Sequence, residues 1–174
     1  INDVSGFNFD KQSFDVVKSE QIPLILHHMQ GTPNTMQQNP TYDDVLLDIF
    51  DFFESKINFF AKKYYEKKLI ILDPGIGFGK NIMDNDTIVN SINELKKLGF
   101  PILIGLSRKS FLSIDEDGAE DRLPATLGVT VLAVQNGADI IRTHDVEDTY
   151  RMLSVISRIL QSNNIKNAPE TYEI

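Results

Sequence analysis

Leu69-Ile70-Ile71-Leu72-Asp73-Pro74-Gly75-Ile76-Gly77-Phe78-Gly79-Lys80 is the stretch that organises the rest of the chain. Its first half is a short unbroken apolar run, the pattern of a strand covered on both faces, as in a parallel sheet. The run closes on a carboxylate, Asp73, and then carries three glycines in five residues, which lets the backbone adopt positive φ and approach a ligand closely. A carboxylate placed there can accept paired N–H donors from a heterocycle with a guanidine-like edge, or it can serve as a structural cap. The loop is not a phosphate-binding Walker sequence, because Pro74 and Asn81 stand where that motif needs Gly and Ser or Thr. The glycine spacing also fails the dinucleotide fingerprint.

Four more apolar runs have the same form: Ile1–Val4, Pro23–His28, Pro101–Gly105 and Asp139–His144. Between them lie helical patterns. From Asp43 to Tyr65, Val45, Ile49, Phe53, Ile57, Phe60 and Tyr64 recur at steps of three and four, which predicts one amphipathic helix with these residues on its buried stripe. A second helix is expected from Asp86 to Leu98 with Gly99 as its cap. A third, Pro124 to Asn136, is small and apolar all round and should be buried, and a fourth runs from Val146 to Leu160. Residues 10–20 form a shorter one. The division expected is one domain over 1–160 and a loosely ordered polar tail over 161–174.

Strands alternating with helices mean a parallel sheet with right-handed crossovers. Two α/β architectures fit five such strands: a flavodoxin-like doubly wound sheet, or five-eighths of a TIM (β/α)8 barrel. Periodicity does not choose between them.

Composition narrows the function. The 174 residues carry 17 Lys and Arg against 25 Asp and Glu, a net charge of −8, which argues against a sequence-independent nucleic-acid binder. There is no apolar run long enough to span a membrane. With no cysteine there is no disulfide, thiolate metal site or Cys nucleophile, and a cytoplasmic location is the expectation.

In both architectures ligands bind at the C-terminal ends of the strands. Those ends carry Asn2 and Asp3; His27, His28, Met29 and Gln30; Asp73 and Lys80; Ser107, Arg108 and Lys109; Arg142 and His144. An acidic protein thus gathers cations at one rim, which suits an anionic ligand such as a phosphate or carboxylate. Neighbouring residues on a strand face opposite ways, so only one of Arg108 and Lys109 should face the site and the other should make structural pairs. Arg142 and His144, two apart, should face the same ligand, a phosphate or pyrophosphate, unless Arg142 pairs with Asp145 or Glu147. His27 and His28 cannot easily share one metal ion for the same reason of alternation.

The blocks Asn2-Asp3-Val4-Ser5-Gly6, His28-Met29-Gln30-Gly31-Thr32-Pro33-Asn34-Thr35-Met36-Gln37, Asp73 to Lys80, Gly105-Leu106-Ser107-Arg108-Lys109-Ser110 and Ile141-Arg142-Thr143-His144-Asp145-Val146 resemble dihydropteroate synthase. They occur in that family's order across residues 1 to about 160. The resemblance implies the partial TIM barrel, with these strands as the fourth to eighth and the chain as a C-terminal portion. Starting at Ile1 rather than Met, it lacks counterparts of the first three strands and of the family's Mg2+ ligand, so no metal ligand is expected in this chain although the family uses Mg2+. An arc of five strands leaves two open edges, so the chain is expected to be stable only with its other part or paired with another chain, and a homodimer is implied.

The implied reaction joins 4-aminobenzoate to 6-hydroxymethyl-7,8-dihydropterin diphosphate, giving 7,8-dihydropteroate and pyrophosphate in folate biosynthesis, a transferase reaction that sulfonamides target. Carried over by position, Asn2 and Asp73 hydrogen-bond the pterin edge, and Val4, Met29 and Gly105 line the pterin slot. Lys109 reaches the pterin near the aminobenzoate, while Phe78 and Ser110 bound the aminobenzoate side. Arg142 and His144 hold the diphosphate. Ser107 is counted among the substrate-binding residues, with Arg108 in support. Two other readings remain: a pterin-dependent methyl-transfer barrel, which needs no diphosphate clamp, and a non-catalytic module, either synthase-like or a flavodoxin-like receiver, which would leave the glycines after Asp73 unexplained.

Overall fold

In the computed structural model, which describes residues 1–10, 12–114 and 118–165, the apolar runs become five parallel strands. They are β1 (Asn2–Asp3), β2 (Leu24–His27), β3 (Ile70–Asp73), β4 (Leu103–Ile104) and β5 (Ile140–Ile141). β1, β2 and β3 pair in that order, β4 pairs with β5, and a parallel bridge from Leu72 to Ile102 joins the two groups. The strands therefore stand side by side in chain order. That order decides between the two architectures. A doubly wound sheet must reverse its strand order at a switch point, whereas right-handed crossovers without reversal put every helix on one face. The helices form that single outer row: α1 (Ser13–Glu20), the short helix expected over 10–20, stacks Phe14 on Phe60 of α2 (Val45–Lys62), α2 touches α3 (Ile82–Asn90), α3 touches α5 (Leu123–Gln135), and α5 touches α6 (Val146–Ile165). The result is an open arc of a (β/α) barrel.

Alternation along the strands separates two faces. Leu24 and Leu26 of β2 and Ile70 and Leu72 of β3 are buried, against the aromatic stripe of α2 among others, while Ile25 and Ile71 between them are only half-buried. His27 and Asp73 continue the alternation of Ile25 and Ile71, and are register partners at the C-terminal ends of their strands. The concave face thus delivers both to the rim.

α2 is capped by Asp44, whose carboxylate accepts from the N–H groups of Leu46 and Leu47. Val45, Ile49, Phe53, Ile57 and Phe60 form the buried stripe as expected. Tyr64 does not join it. The helix stops at Lys62, Tyr64 takes a left-handed conformation (φ 61°) and points outward, and Tyr65 turns in instead, its hydroxyl bonded to the Ile22 carbonyl. The segment expected to be one helix from Asp86 to Leu98 begins earlier, at an Asn81–Asp84 capping box, and breaks at Ser91 into α3 and α4 (Ile92–Lys96) before Gly99 ends it with φ +81°.

α5 is not buried all round. Only the stripe Thr126, Thr130 and Ala133 is covered, and Leu132 is 42% exposed, because an outer-layer helix has a single face to give to its neighbours. α6 runs past Leu160 to Ile165, into the segment expected to be loose. The rest of that polar tail, 166–174, lies outside the described residues.

Candidate functional site

The rim at the strand ends encloses a cavity of about 380 Å3. Asn2, Val4, Phe78, Gly105, Ser107, Lys109, Arg142 and His144 line it, with Thr143 among them. Four chain segments, far apart in sequence, supply these side chains, and Lys109, Arg142 and His144 meet there. Behind Arg142 stands Asp73, fully buried. Its Oδ1 accepts the Gly75 N–H at 2.8 Å, and its Oδ2 accepts from Arg142 Nη2 at 2.8 Å. A second guanidinium nitrogen, Nη1, donates to Asn2 Oδ1 at 2.9 Å. Arg142 therefore reaches from the end of β5 across β4 to β3 and β1. It passes over Gly105, where a Cβ would lie 2.9 Å from Nη2. Arg142 pairs with neither Asp145 nor Glu147; those carboxylates hold Arg108 and Arg151.

Arg142 and His144 both reach the cavity, although β5 ends at Ile141 and strand alternation is no longer what aligns them. His144 is held by Ser107, whose Oγ accepts the His144 backbone N–H at 3.1 Å and lies 2.9 Å from Nδ1. Lys109 extends its Nζ over the Phe78 ring at 4.4 Å. Burial, then the neighbouring Arg142 charge, lowers the Lys109 pKa, while Asp73 opposes the shift.

The neighbour Arg108 goes the other way, as expected, although β4 ends at Ile104 and a turn rather than strand alternation directs it. Its backbone is left-handed (φ 58°), and its guanidinium forks onto Asp145 and Glu120, with Nε 3.1 Å from Asp145 Oδ2. That fork holds the Asp145 carboxyl below the usual carboxylate range and raises Arg108. Arg108 thus braces the segment that carries His144 without entering the cavity. Met29, half-buried, and Ser110, exposed at the start of a 3-10 turn (Ser110–Leu112), also lie outside the lining.

Lys80 is a second sequence-marked cation that stays out of the cavity. It is 3% exposed, and its Nζ bonds to the Phe78 carbonyl and to His28 Nδ1, each at 3.0 Å. Burial lowers Lys80 to about 7 and His28 to about 2. Lys80 is therefore a pin under the glycine loop. The loop itself is tight: at Gly75, φ +71°, a Cβ would stand 1.9 Å from the His28 carbonyl oxygen.

His27 was not marked for a role beyond the rim, yet it belongs to the site's back wall. Its ring meets Phe78 edge-on at 4.5 Å, its Nδ1 lies 3.2 Å from the Val4 carbonyl, and its Nε2 is 3.8 Å from Asp73 Oδ2. Burial lowers its pKa, with Asp73 pulling the other way. The signal available in sequence was its step of two from Ile25, which puts it on the face of Asp73. His28 faces the opposite side, edge-on to Phe52 at 5.0 Å.

A larger hollow, about 560 Å3, runs between α5, β5 and α6 and is lined by apolar side chains such as Val134, Leu153 and Ile156. It holds none of the rim cations, so the smaller cavity is the one with chemistry. Asn2 in its lining and Asp73 behind Arg142 are acceptors for planar donors, and Lys109, Arg142 and His144 are cations that can meet an anion.

Residues 1–144 match the sequence model of the family described as pterin binding enzyme, and the chain belongs to that family. Among curated relatives, a dihydropteroate synthase of Synechocystis sp. is 39% identical over 149 residues, covering 84% of this chain and 52% of that protein. Among solved structures, a Yersinia pestis dihydropteroate synthase in a sulfonamide drug complex superposes with a TM-score of 0.89 at 32% identity, over 93% of this chain and 59% of the other. The Xanthomonas albilineans dihydropteroate synthase in complex with 7,8-dihydropteroate gives 0.84 at 31% identity, over 92% and 58%. The chain thus spans between half and three-fifths of the length of these relatives.

Proposed function

We propose that this chain is the portion of a dihydropteroate synthase barrel that carries strands four to eight, and that its cavity condenses 4-aminobenzoate with 6-hydroxymethyl-7,8-dihydropterin diphosphate. The observation that carries the reading is one cavity lined by Asn2, Lys109, Arg142 and His144, with the Asp73 carboxylate buried directly behind Arg142 and joined to it. A pterin edge offers planar N–H donors to Asn2 and Asp73, and a diphosphate offers charge to the three cations. The product found with the Xanthomonas albilineans relative has the chemistry this arrangement calls for.

In the proposed step the arylamine nitrogen attacks the methylene carbon of the pterin. A C–N bond forms, the C–O bond to the diphosphate breaks, its electron pair leaves as pyrophosphate, and the amine gives up one proton to solvent. Arg142 and His144 stabilise the departing anion, and Asp73 and Asn2 fix the ring. Lys109, over Phe78, stands between the ring and the aminobenzoate, where a sulfonamide would compete. Among the described residues no group of three or more His, Asp or Glu side chains is placed to hold a metal ion. The use of Mg2+, homodimerisation and a cytoplasmic location belong to the same proposal.

The test is turnover of the two substrates with release of pyrophosphate. Arg142→Ala is expected to raise KM for the diphosphate substrate and lower kcat, with a combined loss of about 30- to 150-fold for a charge-assisted contact worth about 2–3 kcal/mol. Unchanged kinetics would remove Arg142 from the site.

A further inference from the structure

Arg142 does not wait at the cavity mouth for an anion; it lies across the acceptors that a heterocycle would use. Its Nη1 and Nη2 donate to Asn2 Oδ1 and Asp73 Oδ2 at 2.9 and 2.8 Å. Of the two Asp73 oxygens, Oδ1 already accepts from Gly75, so Oδ2 is the one left for a ligand, and Arg142 holds it. Asp73 is fully buried, while the Arg142 side chain above it is 42% exposed. The arrangement depends on Gly105: a Cβ there would press on Nη2 at 2.9 Å and on Nε at 3.1 Å.

A guanidinium and the amino-pyrimidinone edge of a pterin present similar planar arrays of N–H donors. We infer that Arg142 is an internal competitor for the heterocycle subsite, and that an anion at the cavity mouth draws it off Asn2 and Asp73 and so opens that subsite. The inference rests on the functional reading above and adds to it a coupling between the two ends of the substrate. The ring must displace the guanidinium from Asp73. A pyrophosphate group beside His144 offers the displaced guanidinium a charge-assisted partner in the same cavity. Each half of the substrate thereby favours the other, and linkage requires the effect to be reciprocal. His27 Nε2, buried without a partner 3.8 Å from Asp73 Oδ2, is a further acceptor that a ring donor meets once Arg142 has gone.

The experiment is a fluorescence titration of the chain with 6-hydroxymethylpterin, which carries the ring and no diphosphate, with and without saturating inorganic pyrophosphate. In the wild-type chain pyrophosphate is expected to lower the Kd of the pterin about fivefold or more. Arg142→Ala should bind the same neutral pterin more tightly than wild type does, and pyrophosphate should no longer change its affinity. The same variant loses affinity for the diphosphate substrate, so the two ligands respond with opposite signs. A wild-type Kd indifferent to pyrophosphate overturns the inference whether or not the variant folds, as does weaker binding of neutral pterin by Arg142→Ala. If the wild-type chain binds neither the pterin nor its diphosphate, the functional reading falls first and this inference with it.

Discussion

The middle strands of the arc and its last strand are built to different standards. In β2 and β3, Leu24, Leu26, Ile70 and Leu72 are at most 1% exposed, and α2 covers them with Ile49, Phe53 and Phe60, all fully buried. In β5, Ile140 and Ile141 are only half-buried, and α6 leaves Val146, Tyr150, Val155, Ile159 and Leu160 exposed. The site straddles this divide. Asp73, Phe78 and the glycine loop come from the well-covered strands, as do Ser107 and Lys109, which follow β4 with Leu103 and Ile104 buried; Arg142 and His144 come from the less covered β5. Lys109 sits over Phe78, and across the seam Arg142 binds Asp73 and Asn2. The well-covered strands therefore present Asp73 and Lys109, and the less covered β5 presents the arginine that spans the seam.

The sharpest way to break this comparison is Asp73→Asn. It keeps an acceptor for the Gly75 N–H but removes the charge that anchors the seam and reads the ring. Pterin affinity is expected to fall about 100-fold or more, with the circular dichroism of the folded chain retained. Normal affinity in a titration would move the ring elsewhere. Next in size is the contrast in packing. Leu72→Ala should cost about 2–5 kcal/mol in urea unfolding, whereas Ile141→Ala, at a half-covered site, should cost about 1 kcal/mol. Equal costs would show the two regions to be packed alike.

The buried pin of the well-covered strands gives a pH signature. Lys80 falls from its ordinary 10.5 to about 7 on burial. Between those values the unfolded chain holds a proton that the folded chain does not, so stability should rise as pH increases across that window. The unfolding midpoint should be higher at about pH 9 than at pH 7, and Lys80→Met should flatten the difference. The smallest effect is expected at Arg108. Arg108→Ala removes the fork on Asp145 and loosens the segment bearing His144, lowering kcat about two- to fivefold while pterin affinity stays within about twofold. A larger loss of pterin affinity would put Arg108 in the cavity.

Much of this was legible in the chain itself. The five apolar runs became the five strands, Gly99 ended its helix with positive φ, and Arg108 and Lys109 face opposite ways as expected, though a left-handed turn after β4 rather than strand alternation separates them. Where the reading failed, a local pattern met a tertiary constraint. Tyr64 has the helical spacing but lies just past the end of α2, and Tyr65 takes the buried place. The apolar composition of α5 implied burial, yet an outer-layer helix is covered on one side only. Lys80 stands at a strand-end loop like the other cations, but the glycines curl the loop over it.

By its order of apolar runs, glycines and charges, the sequence fixes an alternating parallel α/β chain and marks the rim as its chemical end, because strand periodicity and turn chemistry act over a few residues. Only the tertiary structure decides that the strands stand in chain order with every helix on one side, since pairing of distant strands has no local signature. It alone decides as well that Arg142 reaches Asp73 and Asn2, partners 69 and 140 residues away, because such a contact exists only once the arc has brought its strand ends together.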